Sequence, residues 1–370
     1  MTFYANPSAT SAVVVIFYRD FKEYGEPSSG YKCHRGVGVN AKLTAKVLRK
    51  RGVVANVAAV MTAQDIGLYL QKNPAVTHAI IQAVWVTADE QAVLCQSFPR
   101  VHFVVRVHSQ IGFLQVEPPA IKIIRDLLQL QETELNISLS ANNLRFAEFL
   151  KYVYHGESVL LPNLYDMDRA ERKPTMAHDH LLLRVGSFGA HRLLKNHTTA
   201  AAAALIIAER RDCDLEFYVN SGRAENSSEK ASKGGKVVRR TAENSVLTSL
   251  QYMFADLPRA KLVEVPWMEW PSFRQIVASM DLCMQVSPTE TFNIVTADAV
   301  CEGVPSVVSE AIEWAPKYWQ APIDDAYAIA LSGMNLLNDP YAAQTGLDAL
   351  TNYESDAEKQ WLSYLSSNPT

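Results

Sequence analysis

The sequence predicts an α/β protein of two consecutive doubly wound domains, each a parallel sheet with helices on both faces. Three observations predict it. A chain of 370 residues is too long for one ordinary core, at about 150 residues per domain. Short β-branched runs alternate with longer amphipathic stretches over most of its length, and that order builds strand-helix-strand units. The strand runs are apolar almost without a break, which suits strands covered on both sides.

Residues 13–18, Val-Val-Val-Ile-Phe-Tyr, read as the first strand. A helix over 39–51 places Leu43, Val47 and Leu48 at helical spacing and ends in Arg49, Lys50, Arg51 and Gly52. Basic residues in a last turn oppose the helix dipole, and glycine accepts the left-handed cap that follows. Strand 53–60, helix 62–71, strand 78–84, helix 88–97, strand 101–107 and helix 120–130 continue the alternation. Between 162 and 179 it lapses into charge, proline and methionine. The first domain is therefore expected over 1–165 and a linker over 166–179.

Alternation resumes with strand 181–185, helix 197–210, strand 215–219, helix 244–254 and strand 261–265. Helix 271–279, strand 282–286, helix 293–302 and strand 306–309 complete a second domain over 180–354. Residues 221–241 carry almost no apolar side chains and read as a mobile loop. A last helix near 356–365, within 355–370, is expected to return to the first domain. Two such domains would set the carboxyl ends of their sheets across one cleft, where open α/β sheets bind ligands.

Composition narrows the class. With 48% hydrophobic and 20% charged residues, the chain is that of a globular protein, not a disordered or fibrous one. A net charge of −4 excludes a uniformly basic nucleic-acid coat. No run approaches 18 apolar residues, so no integral membrane segment is expected, and the N-terminus lacks the basic start of a secretion signal. Five cysteines without a Cys-x-x-Cys pair point to reduced thiols in the cytoplasm. His178 and His180 lack a third ligand, so no metal site is expected. Cys33 beside His34 has no strand-turn-helix setting and reads as a loop thiol.

Four segments carry chemistry. In 287–305, Glu290 follows a strand and Asp298 lies eight positions on, about two turns into the next helix. Backbone N–H groups where that helix begins, around Thr291, Phe292, Asn293 and Ile294, suit an anion, and the two carboxylates can accept from sugar hydroxyls. In 184–197, a turn with Gly186, Ser187 and Gly189 precedes Arg192 and Lys195 at the start of an Ala-rich helix. Fixed cations there stabilise charge developing on a departing phosphate. His108 stands at a strand's carboxyl end, and Gly36 and Gly38 belong to the loop after the first strand as candidate close-approach positions. Each has a bland alternative: acidic and basic side chains are common near helix starts, and a lone histidine is usually structural.

These segments together resemble retaining nucleotide-sugar glycosyltransferases of the two-Rossmann-domain (GT-B) type, family 4 in particular. The resemblance runs over most of the chain. It is strongest in the Glu290-x7-Asp298 segment with Gly303-Val-Pro305, and it includes the strand at 137–141 and Pro162-Asn163 at the linker. It implies that Glu290 touches the donor sugar, Asp298 holds the ribose, and Lys195 with Arg192 neutralises the diphosphate. It also implies that His108 lines the cleft. Asp298 stands where the family has Glu, and Ser187 where it has Arg. The implied donor is a nucleotide-diphosphate sugar, UDP-sugar before GDP- or ADP-sugar, with no cofactor or metal.

Charge distribution adds one hint about the acceptor. Residues 30–52 carry +7, residues 223–240 carry +4, and the remainder carries −15. An anionic acceptor is one reading, whether a modified DNA base, a teichoic-type polymer or a lipid headgroup; a solvated helix face and loop is the other. Competing functions are an epimerase or phosphorylase on the same scaffold, and a non-catalytic nucleotide-sugar-binding module.

Overall fold

The computed structural model describes residues 12–19, 36–134, 136–167, 181–221 and 242–367. Cys33, His34, His178, His180, the 221–241 loop beyond Ser221 and most of the 166–179 linker lie outside them. The described residues form two compact units. One takes those up to Asp166 together with those from Asn352 onward; the other runs from Met167 to Thr351.

In the first unit β1 (Val13–Arg19), β2 (Val54–Val60), β3 (His78–Gln82), β4 (His102–Val107), β5 (Ile137–Ala141) and β6 (Val159–Leu160) form one sheet. Its order is β2-β1-β3-β4-β5-β6, every pairing parallel. The helices are α1 (Gly36–Lys50), α2 (Ala63–Lys72), α3 (Ala88–Ser97), α4 (Ile111–Leu114), α5 (Pro118–Thr133) and α6 (Leu144–Tyr154). Alternate residues feed opposite faces, as the strand period requires: Val15, Phe17, Ile81 and Val105 enter one core, and Val14, Ile16, Ile80 and Val104 the other. Thr62 with Asp65 and Thr87 with Glu90 make reciprocal capping boxes that fix where α2 and α3 begin.

The second unit holds β7 (Leu182–Gly186), α7 (His197–Arg211), β8 (Asp214–Ser221), α8 (Ala242–Phe254), β9 (Ala260–Pro266), α9 (Trp270–Ala278), β10 (Leu282–Gln285), α10 (Ile294–Cys301), β11 (Ser306–Val308) and α11 (Ala326–Asn338). Its sheet is also parallel, in the order β11-β10-β7-β8-β9. The architecture is thus the doubly wound α/β pair that the alternation predicts.

Three features depart from the sequence reading. Gly36 and Gly38, expected in a loop, form the first turn of α1. The helices α6 and α11 went unread. The last helix, α12 (Ala342–Ser367), begins fourteen residues before 356. Its C-terminal part joins the first unit's core through Ala357, Trp361 and Leu365, and Trp361 Nε1 donates to Pro162 O at 2.7 Å.

Gly346 lies inside α12, where glycine weakens a helix by about 1 kcal/mol relative to alanine. Packing explains it. A Cβ at this position would lie 2.2 Å from the ring of Trp319, which is wholly buried. Gly346→Ala is expected to destabilise the chain by about 2 kcal/mol, as overpacking does. A urea midpoint equal to or above wild type would show that the helix-propensity gain wins instead.

Candidate active site

In the second unit, β7, β8 and β9 fan out one way and β10 and β11 the other, so the sheet's switch point lies between β7 and β10. Ligands of open α/β sheets bind beyond the carboxyl ends of strands at such a point. The loops leaving β7 and β10 are the two that carry the sequence-predicted Lys195 and Glu290. They are tied together by Asn196, whose Nδ2 donates to Val286 O at 3.1 Å and to Ile323 O at 2.6 Å. Asn196 sits in the left-handed region, φ +57°, which asparagine tolerates better than most residues.

Lys195 Nζ donates to Glu290 Oε1, forming an ion pair. Ser287 Oγ donates to the same oxygen at 3.0 Å. The lysine stem passes over Gly189, where a Cβ would come within 3.5 Å of Lys195 Cε. Gly189 has φ +127°, a conformation that suits glycine, and its N–H donates to Asn220 Oδ1 at 2.8 Å. Lys195 and Glu290 side chains keep 21% and 14% of their exposure, so the pair is sheltered yet open to a ligand. Arg192 belongs to the same short turn, its carbonyl accepting from Lys195 N–H at 2.8 Å.

The start of α10 is shaped by Asn293, φ +60°, whose Oδ1 accepts from Thr296 N–H at 2.9 Å. Its Nδ2 donates to Gln285 Oε1 at 3.0 Å. Phe292 is buried under Trp314, with ring centroids 5.7 Å apart, and its carbonyl accepts from Trp314 Nε1 at 2.6 Å. Thr291 and Ile294 are half-buried on either side. The first N–H groups of α10 thus stand at the positive end of a helix dipole in the loop segment that carries Glu290.

Three further predicted residues are enclosed within this unit. Asp298 has no exposed surface and accepts from Trp270 Nε1 at 3.0 Å. Ser187 is also buried, its hydroxyl 2.8 Å from His197 Nδ1. The far side of that ring faces Ala190 O at 3.4 Å. Burial pushes His197 down to about 3, with the His191 and Lys195 charges acting in the same direction, so the ring is neutral and accepts from Ser187. Gly186 is small because the Phe188 ring fills the space of its Cβ, 2.3 Å away. These residues shape the loop.

In the first unit the order reverses between β1 and β3. The chain leaves β3 through Ala83 at φ +67°, a costly conformation for alanine, held by its N–H on Arg106 O at 3.0 Å. His108 Nε2 makes a short hydrogen bond with Gln82 Oε1. Burial, and then the Arg106 charge, hold His108 well below the usual imidazole range. Gln82, Arg106 and Asn40 around it were given no role from sequence, and Asn163 only a place in the linker resemblance; polar residues ending two apolar strands were the available sign. Three cations of the basic stretch 30–52 have carboxylate partners within this unit: Lys46 and Lys50 pair with Asp166, and Arg51 with Glu358. Among the described residues no group of three or more His, Cys, Asp or Glu has metal-binding geometry. No helix among them is long and apolar enough to cross a membrane.

The fold is shared with solved glycosyltransferases of the GT-B class. A sucrose-phosphate synthase from Thermosynechococcus elongatus superposes with a TM-score of 0.65 at 12% identity, over 95% of this chain and 98% of its own. A glycosyltransferase from Rickettsia africae gives 0.62 at 10%, over 96% and 98%. A UDP-forming α,α-trehalose-phosphate synthase from Burkholderia xenovorans gives 0.62 at 10%, over 96% and 98%. No family model and no curated protein sequence matches the chain.

Proposed function

We propose that the chain is a retaining, metal-independent glycosyltransferase that moves a sugar from a nucleotide-diphosphate sugar to an acceptor hydroxyl. The observation that carries this reading is the Lys195–Glu290 pair at the second sheet's switch point. A lysine held by a carboxylate at such a point can exchange that carboxylate for a diphosphate. Cleaving the bond between anomeric carbon and phosphate leaves negative charge on phosphate oxygen, which Lys195, Arg192 and the first amides of α10 stabilise. Glu290 then orients the donor sugar, and His108 is the first unit's proposed site residue. Same-face attack lets the departing phosphate take the acceptor's proton, so no protein base is required.

UDP is favoured among nucleotides because one structure of the same fold is named as UDP-forming. Family 4 is the pattern that the Glu290 segment resembles, with Asp298 in its ribose position. The charge argument for a polyanionic acceptor weakens, since three of the basic side chains of 30–52 already have carboxylate partners.

A thermal-shift panel of UDP, GDP, ADP, UDP-glucose, UDP-N-acetylglucosamine, GDP-mannose and ADP-glucose tests the reading. UDP and at least one UDP-sugar are expected to raise Tm, since ligand at 100 times Kd adds about 2.7 kcal/mol. No shift with any of the seven sinks the proposal.

A further inference from the structure

Arg106 is a guanidinium with no exposed surface, and none of its hydrogen bonds goes to a carboxylate. Its Nε donates to Leu161 O at 2.8 Å, Nη1 to Asn40 Oδ1 at 2.8 Å and Gln82 Oε1 at 3.1 Å, and Nη2 to Asn163 Oδ1 at 2.6 Å. Trp361 covers it, ring centroid 5.4 Å from Cζ. Burial lowers its pKa to about 9, so it is still cationic at neutral pH. A buried charge held only by neutral groups is costly, and its neighbours suggest what it does.

We propose that Arg106 and Gln82 are positioning residues that lock His108 in one tautomer, proton on Nε2 and lone pair on Nδ1. The ring is thereby held neutral at the carboxyl end of β4. This rests on the reading that His108 is a site residue.

The lock follows from donors and acceptors. A guanidinium can only donate, so the amide of Gln82 must present its oxygen to Arg106 Nη1. That oxygen can only accept, and it is also the partner of His108 Nε2. The imidazole nitrogen must therefore carry the proton. Arg106 Nη1 lies 3.3 Å from Nε2, but its two hydrogens are already directed at Asn40 and Gln82. A doubly protonated ring is opposed by burial and by the Arg106 charge.

The geometry is rigid for reasons visible in the sheet. Gln82 and Arg106 are register partners on β3 and β4, and His108 follows Arg106 by two residues, on the same face of an extended chain. The Ala83 N–H on Arg106 O closes the end of β3 onto β4.

Removing Arg106 itself takes a donor from four buried acceptors and is liable to unfold the chain, so Gln82 is the site to vary. The full chain, labelled with 15N-histidine, is measured by two-bond 15N–1H correlation, with His108 assigned from the signal lost in His108→Phe. Wild type is expected to show neutral Nε2–H at His108 from pH 5.5 to 8. Gln82→Leu is expected to mix the tautomers and to lower kcat on UDP-glucose about tenfold, the usual scale for a partner that orients a functional imidazole. Gln82→Glu keeps an acceptor for Nε2–H but adds a negative charge. Its ring is expected to titrate nearer neutral, with turnover falling as pH drops through that titration. An Nδ1–H ring in wild type, or an unchanged tautomer in Gln82→Leu, overturns the lock. The predicted tautomer together with no UDP-glucose binding upholds the lock and counts against the proposed function alone.

Discussion

Replacing Lys195 by alanine is expected to lower turnover of the preferred nucleotide sugar about 10³-fold, the upper range for loss of one donor to developing oxyanion charge. The ammonium is the group best placed to meet a diphosphate at the switch point. It stands on a turn fixed at both ends, by the Arg192 carbonyl and by Asn196. The fold should survive. Glu290 keeps the Ser287 hydroxyl as a partner, and both side chains of the pair retain some exposure, so no buried charge is orphaned. Glu290→Gln preserves volume and the Ser287 bond but removes the carboxylate that holds the lysine, and about 10² is expected. Because the two groups touch, the double variant should fall well short of the product of the singles. UDP release gives the rates and thermal denaturation monitors the fold. Rates within about threefold of wild type, with the fold intact, would remove Lys195 and Glu290 from the chemistry.

The strands were legible because they depend on short-range pattern. Val13–Arg19 or Leu282–Gln285 announce themselves as apolar runs, and the loops that carry Lys195 and Glu290 each follow a strand. The helix α11 was not legible. Ala326–Asn338 is largely apolar and small, with five buried residues, and Gly333 would place a Cβ 2.7 Å from Ile207. Its buried residues do form one stripe, but Tyr327 and Leu331 on the exposed face are apolar too, so the sequence shows none of the polar contrast that marks a surface helix. The burial of Asp298 was not legible either. Every residue of α10 from Thr296 to Cys301 is buried, so sequence spacing could not say which side would face a ligand. The Arg106 centre was hidden differently. Asn40, Gln82, Arg106 and Asn163 are scattered over more than a hundred positions, and only the parallel register of β3 with β4 brings the middle two together.

Glu354→Gln is expected to stabilise the chain at pH 8 by about 3 kcal/mol and to change little at pH 4. Glu354 lies on α12 and is 6% exposed; its Oε1 accepts from Tyr165 N–H at 2.7 Å. Burial pushes its carboxyl up to about 9, aided by the charges of Glu358 and Asp166 and opposed by the Tyr165 bond. A carboxyl whose folded pKa exceeds its unfolded value of 4.5 contributes its full stability below that value. The contribution is then lost as pH rises towards 9. Glutamine mimics the protonated form: it keeps an oxygen for Tyr165 and carries no charge to desolvate. The buried histidines act in the opposite sense. His197, held at about 3, stays neutral in the folded chain while the unfolded chain takes up a proton below about 6.5, so stability falls as pH drops beneath that point. Wild type should therefore be most stable in mildly acidic solution, and Glu354→Gln should extend the plateau towards alkaline pH without moving its acid limb. Urea denaturation at pH 4, 6 and 8 reads this directly. Equal wild-type and variant midpoints at pH 8 would mean that Glu354 ionises in the folded chain at its ordinary value.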